Sequence, residues 1–184
     1  METSDNFNLG MFITPVDRLS LSLTFFHNRL NDRITYVTDD ETGMGRYENF
    51  GLVTYTGTDI ALSCEVHHTV NVKGSYIYLE AKDEDTGLWL PAKSRHKGNL
   101  DIYWKPIQNL SIVFANSYTS KAYRNKNNTK DVSGYGVSDF RVEYAFERFS
   151  LFSEVENIFD KKYYYLDGLL APPLTWFAGV NIRK

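Results

Sequence analysis

Apolar residues return at every second position through most of this chain. Leu19, Leu21, Leu23 and Phe25 alternate with Ser20, Ser22 and Thr24, and Leu110, Ile112 and Phe114 stand against Ser111, Ala115 and Ser117. The same rule holds for Phe140, Val142, Tyr144 and Phe146 against Asp139, Arg141 and Glu143, for Leu100, Ile102 and Trp104 against Asn99 and Asp101, and for Ile60, Leu62, Cys64 and Val66 against Ser63 and Glu65. A period of two places one kind of side chain on each face of a strand, so the chain predicts β-strands with one apolar and one polar face. A half-solvated soluble sheet would show the same alternation, and the links between strands discriminate better.

Short links at Pro15-Val16-Asp17-Arg18, His67-His68-Thr69, Pro106-Ile107-Gln108-Asn109 and Glu147-Arg148 alternate with long polar ones. The long ones run from Asp32 to Tyr47, Lys82 to Lys97, Lys121 to Gly134 and Leu166 to Pro173. Tight turns at one end and extended loops at the other are what an up-and-down transmembrane barrel requires. The strand regions also reach the roughly nine to eleven residues needed to cross a tilted bilayer span. About nine strands are predicted, beginning near Phe7, Leu19, Asn49, Val70, Asn99, Leu110, Val137, Phe149 and Leu174.

Composition agrees with strands: 13 Tyr and 12 Phe suit a pleated surface. Aromatics gather where strands meet loops, at Tyr47, Phe50, Tyr76, Tyr78, Trp89, Tyr118, Tyr123, Tyr135 and Tyr163 to Tyr165, which suggests membrane-interface belts. The net charge of -3 argues against a nucleic-acid partner. No run of 18 apolar residues exists, so a membrane-crossing helix is excluded, but a barrel needs none. A single cysteine, Cys64, excludes an intrachain disulfide and a C-x-x-C site. The start, Met1 to Asp5, lacks the features of a secretory signal, so an exported protein is expected to begin upstream.

A strand-like run from Phe149 to Val155 leads into Glu156-Asn157-Ile158-Phe159-Asp160-Lys161-Lys162-Tyr163-Tyr164-Tyr165, a loop with Pro172-Pro173, and a last strand from Leu174 to Arg183. This string resembles the closing segment of TonB-dependent outer-membrane receptors. Val155 to Asp160 and Ala178-Gly179-Val180-Asn181-Ile182-Arg183 match it, whereas Pro173-Leu174-Thr175 replaces the usual Pro-Gly-Arg-Thr and the chain stops at Lys184 without a terminal aromatic residue. The resemblance implies an all-β, antiparallel segment, residues 1–184, of a larger barrel of about 22 strands, without its plug domain, and an excised fragment is the expectation. It further implies energy-coupled uptake of a scarce nutrient, a ferric siderophore or similar chelate foremost, across the outer membrane of a Gram-negative cell. The implied partners are that ligand, a cobalamin-like one included, the lipid bilayer, the plug domain of the same full-length chain, and periplasmic TonB. The alternative class is a soluble all-β binding module, such as a lipocalin-like barrel, whose apolar face would point inward. Outward-facing Leu21, Leu23, Ile112, Phe114, Val142 and Tyr144 distinguish the membrane reading from it.

Candidate chemistry is sparse. Asp83-Glu84-Asp85 with Gly87 lacks the twelfth-position acid of an EF-hand, since Ser94 stands there, and reads as a solvated loop. His27, His67, His68 and His96 show no zinc spacing, and no G-x-S-x-G elbow exists, so neither a metal site, a cofactor site nor a catalytic residue is assigned. The cationic loop Arg124 to Lys130 would face outward and attract an anionic ligand. Candidate ligand contacts are Trp89, Tyr123, Arg124, Lys126 and Tyr135. Asp101, Asp139, Arg141, Glu143 and Glu154 should point into a wet lumen and face the plug. Asn157 and Asp160 are expected to turn a strand into its loop, and Gly51, Gly57, Gly74 and Gly179 to mark bulges or close backbone approach.

Overall fold

The computed structural model describes residues 2–38, 44–165 and 169–182. Its strands are β1 (Thr3–Val16), β2 (Leu19–Thr38), β3 (Gly45–His67), β4 (Val70–Asp83), β5 (His96–Ile107), β6 (Leu110–Thr119), a short pair β7 (Ala122–Tyr123) and β8 (Asp131–Val132), then β9 (Tyr135–Ala145), β10 (Phe149–Glu156) and β11 (Thr175–Ile182). Among the described residues there is no helix. Nine strands form one sheet in the order β1-β2-β3-β4-β5-β6-β9-β10-β11, with each neighbouring pair antiparallel, while β7 and β8 pair only with each other. The predicted meander of about nine strands is therefore the architecture.

At one end the connections are tight turns, and they explain three irregularities of register. Shifts fall between Ile13 and Val16, between Glu65 and His67, and between Trp104 and Ile107, each just before a turn. Pro15 and Pro106 occupy two of these bulges, where a residue without an N–H costs the ladder nothing. The turns are then tied to the next strand, with the Arg18, Thr69 and Asn109 carbonyls accepting from Glu65, Lys105 and Ala145 N–H at 2.8, 2.7 and 2.8 Å.

Cross-strand partners share a face, so the ladders show where each side chain goes. One face carries rows such as Ile13, Leu21 and Leu62; Cys64, Val72, Ile102, Phe114, Phe140, Val155 and Trp176; and Leu110, Tyr144, Leu151 and Val180. The other carries Ser22, Ser63, Lys73, Asp101, Asp139, Arg141, Glu143 and Glu154, interrupted by Phe26, Val113 and Phe152. A depression reaching from β1 to β5 opens on the polar face, lined by Phe12, Ser20, Ser22, Ser63, Lys73 and Asp101, which makes that face the concave one.

Exposure reinforces the assignment. On the concave wall Arg141 contacts Glu154 at 2.6 Å and Glu143 at 3.0 Å and lies 4.2 Å above the Phe152 ring, while the Ser150 hydroxyl donates to Glu143 at 2.5 Å. These charged side chains are 25 to 31% exposed, whereas Leu151 and Val180 on the other face are 45% and 58% exposed. A soluble barrel would reverse that order, because its apolar face fills a core. Here the outward set includes all six of Leu21, Leu23, Ile112, Phe114, Val142 and Tyr144. β6 has 10 residues, about 33 Å of strand, and at a tilt of about 40° it covers about 25 Å, the height of an outer-membrane apolar band.

The strands outrun that band at the long-loop end. β2 and β3 have 20 and 23 residues and pair from Leu19↔Cys64 to Thr38↔Gly45, so most of the long link expected from Asp32 to Tyr47 is ladder, with residues 39–43 outside the described ones. The backbone pairing continues there to Thr38↔Gly45. Asp32 takes a positive φ of 54°, after which Arg33 turns to the concave side and lies 5.2 Å from the Tyr55 ring. There a small apolar knot of Phe50, Val53, Ala81 and Leu90 packs with Tyr55 and Leu79. Register shifts do not occur at Gly51, Gly57, Gly74 or Gly179, but close approach does at three of them: Gly51 lies against the Asp85 carboxylate, Gly57 against the Tyr78 carbonyl and Phe26, and Gly179 beneath the Phe152 ring.

Candidate functional site

The long links are held together by asparagine side chains standing in for missing backbone partners. In the link between β6 and β9, Asn125 is buried and its Oδ1 accepts from Thr129 and Lys130 N–H at 3.1 and 3.0 Å, closing the turn that joins β7 to β8. Asn128, at φ 55°, reaches the link between β4 and β5: its Oδ1 accepts from Trp89 N–H and its Nδ2 donates to Trp89 O, both at 2.8 Å. Ala92 N–H adds a bond to Tyr123 O at 2.8 Å. The cationic loop is thus a folded lobe clamped to its neighbour. Asn128→Asp turns the donor toward Trp89 O into an acceptor and should loosen the clamp by about 1 to 2 kcal/mol, read as faster hydrogen exchange at the Trp89 amide with no change in the sheet.

The five candidate contacts do not converge. Trp89 bridges to Lys82, which shares the outward face of β4, and lies between cations, with the Arg95 guanidinium 3.4 Å and Lys82 Nζ 4.8 Å from its ring. Tyr123 lines the same depression together with Lys93, Arg95, His96 and Lys121. Burial pushes the Lys93 ammonium below its ordinary pKa, and Arg33 and Lys97 add to the shift by repulsion. Lys126 lies 4.7 Å from the Phe50 ring, closing the apolar knot from above. Arg124 lies elsewhere, and Tyr135 stacks on Tyr163 beside it.

That second place is a groove at the mouth. It runs between the β7–β8 lobe and the link after β10, lined by Arg124, Asp131, Lys161, Lys162, Tyr163 and Tyr164, with a volume of about 430 Å³. Tyr135 is on the concave side of β9 with Asp139 and Arg141, and Tyr163 stacks on it at 4.2 Å while meeting Tyr165 edge-on at 5.7 Å. Burial, the bond to Tyr165 and the nearby Asp139 carboxylate push the Tyr163 phenol up to about 12, so it stays a neutral hydroxyl across physiological pH. Three exposed cations beside stacked phenols suit a flat, anionic ligand.

Asn157 holds this groove in shape. It is buried at φ 52°, accepts Lys161 N–H at 2.8 Å, donates to the Lys161 and Pro172 carbonyls at 3.0 and 3.3 Å, and has its own N–H on Asp139 Oδ1 at 2.8 Å. Asp160, at φ 48°, accepts Leu174 N–H at 3.0 Å. Both turn the strand into its loop as the sequence predicts. Lys161, Lys162, Tyr163 and Tyr164 were legible only as part of that motif or as belt aromatics, and their clustering around Arg124 needs the fold.

Two other expectations change. Asp83 is buried and its Oδ1 accepts Asp85 and Thr86 N–H at 3.0 and 3.4 Å, so it caps a turn completed by Gly87 at φ 70°. Of the belt aromatics, Tyr76 and Tyr118 face outward, 40% and 53% exposed, but Phe50 is buried in the knot and Tyr135 and Tyr163 face inward. A ring next to a loop can serve either side of a wall, and only register distinguishes them.

Comparison with known proteins agrees with this geometry. Residues 1–158 match the family model described as TonB dependent receptor-like, beta-barrel. An iron-regulated outer membrane virulence protein of Vibrio cholerae serotype O1 is 25% identical over 207 residues, covering 98% of this chain and 31% of that protein. This chain therefore spans about a third of the length of the curated relatives it matches. Among solved structures, the copper transporter OprC superposes with a TM-score of 0.86 at 15% identity, over 98% of this chain and 32% of the other. A mutant of the ferric enterobactin receptor PfeA from Pseudomonas aeruginosa gives 0.81 at 19% identity, over 98% and 31%.

Proposed function

Because the chain belongs to the TonB-dependent receptor β-barrel family, we propose that it forms the closing arc of an outer-membrane barrel of about 22 strands that takes up a scarce nutrient, a ferric siderophore or similar metal chelate. The family is one of transporters and receptors, not of enzymes. The observation that carries the reading is the combination of an apolar convex wall with a cationic, tyrosine-lined groove whose Tyr163 stacks on the concave-side Tyr135. Iron regulation of the Vibrio protein and ferric enterobactin recognition by PfeA support iron chelates over other cargo, and OprC shows that the same fold also serves copper.

In this reading Arg124, Lys161 and Lys162 neutralise the ligand's negative charge, while Tyr135, Tyr163 and Tyr164 offer stacking faces and hydroxyl donors. Trp89, Tyr123 and Lys126 support the loops around the mouth. The lumen charges Asp101, Asp139, Arg141, Glu143 and Glu154 face the plug domain of the full-length protein, which transmits the pull of periplasmic TonB. Nucleic acid has no part in it.

The experiment is uptake of radiolabelled ferric enterobactin and of a ferric hydroxamate by iron-starved cells expressing the full-length receptor, wild type or carrying Arg124→Glu with Lys161→Glu. Reversing two charges at the groove should weaken binding of the anionic chelate at least about tenfold with surface abundance unchanged. Equal uptake by both receptors of every chelate tried would refute the groove as the ligand site.

A further inference from the structure

Four charged side chains share the concave face of β9 and β10, and three of them satisfy one another. Arg141 pairs with Glu154 at 2.6 Å and with Glu143 at 3.0 Å. The fourth, Asp139, stands on that face with Tyr135 and Arg141 but has no cation within ion-pair distance among the described residues. Its Oδ1 accepts the backbone N–H of Asn157 at 2.8 Å instead. Asn157 is buried, and its own side chain accepts Lys161 N–H at 2.8 Å and donates to the Lys161 and Pro172 carbonyls at 3.0 and 3.3 Å. A path of contacts thus runs from the lumen wall to Lys161, which lines the mouth groove with Arg124. Asp139, Glu156, Asn157, Tyr163 and Tyr165 also line a smaller cavity, of about 140 Å³, and Tyr163 belongs to both. Burial and Tyr165 do most to hold the Tyr163 phenol protonated, and the Asp139 charge adds to them, so that charge is felt at the groove.

We propose that Asp139 is a positioning residue of the mouth groove: as an acceptor it holds Asn157, and through Asn157 the Lys161 that meets an anionic chelate, while its charge opposes that same ligand. The proposal rests on the groove being the ligand site. A carboxylate that served only to face the plug would have no reason to accept from the link after β10. The two effects belong to different properties of the side chain, so substitution separates them. Asp139→Asn keeps an acceptor oxygen and loses the charge, whereas Asp139→Leu loses both and leaves the buried Asn157 N–H without its partner. The lost acceptor outweighs the lost charge, because a buried donor left unpaired costs its full desolvation, while a charge beside an open groove is screened by water and salt. The two variants therefore move chelate affinity in opposite directions. The link stays attached to β9 in both, since Ile158 N–H bonds the Ser138 carbonyl at 2.9 Å.

The test uses the full-length receptor purified in detergent, with equilibrium dialysis of radiolabelled ferric enterobactin for affinity and hydrogen exchange for the link. Asp139→Asn should bind the chelate about threefold more tightly than wild type, with exchange at the Asn157 and Lys161 amides unchanged. Asp139→Leu should bind it about tenfold more weakly and exchange both amides faster, while β9 and β10 exchange as in wild type and so report an intact wall. Affinities that move the same way in both variants, or in neither, overturn the proposal, as does unchanged exchange at Lys161 in Asp139→Leu. Arg124→Glu with Lys161→Glu tests the reading beneath it. If that double variant binds the chelate as wild type does, or if wild type does not bind it, the groove is not the site of this ligand and both readings fall. If the double variant loses binding while the two Asp139 variants stay together, this proposal alone falls.

Discussion

Phe114→Arg should destabilise the refolded barrel in lipid by about 3 kcal/mol, whereas Ala115→Arg, one residue along the same strand, should cost less than about 1 kcal/mol. Phe114 sits in the middle of β6, between Ile102 and Phe140 on the outward face, where a charge meets hydrocarbon. Ala115 points to the concave wall between Asp101 and Asp139, so a guanidinium there finds water and two carboxylates. Equilibrium unfolding in urea from lipid vesicles measures both. The contrast isolates the face, since strand, depth and introduced residue are the same. Equal costs, or a larger one for Ala115→Arg, would mean that the apolar face is enclosed and the membrane reading is wrong.

Gly57→Val should be the most damaging single change in the wall that introduces no charge, at about 3 kcal/mol. A side chain at residue 57 runs into the Tyr78 carbonyl and the Phe26 ring. The ring can turn aside, but the carbonyl belongs to the β3–β4 ladder, and moving it breaks pairing on a strand 23 residues long. Gly74→Val is the control. The nearest atom to a Cβ there is at 3.8 Å, and a β-branched side chain would add cross-strand contact with Leu62 and Leu100, so stability should hold or rise slightly. Thermal unfolding in detergent, followed by circular dichroism, separates the two outcomes.

How much of this was legible beforehand depends on how local the physics is. Strand starts at Leu19, Val70, Leu110 and Phe149 coincide with the expected ones, because alternation and tight turns are properties of a few consecutive residues. The long links were misjudged for the opposite reason. Asn128 reads as a loop residue in sequence, and its task, completing the backbone of Trp89, lies 39 positions away. Of the candidate contacts, Arg124 reaches the mouth groove and Tyr135 stacks on Tyr163 beside it, while the Asp32 reversal and the Lys82 bridge place Lys126 above a small core and Trp89 on the outward face. Parity along a strand could be counted, but the residue at which it changes could not.

The sheet holds nine strands in simple alternation, so β1 and β11 run in the same direction. Two such arcs set upright side by side would therefore meet along parallel seams, and an up-and-down wall forbids that. A circle in which every neighbour is antiparallel closes around this segment only if the remainder contributes an odd number of staves, the first descending beside β11 and the last descending beside β1. Identical upright copies therefore cannot close an all-antiparallel wall with one another.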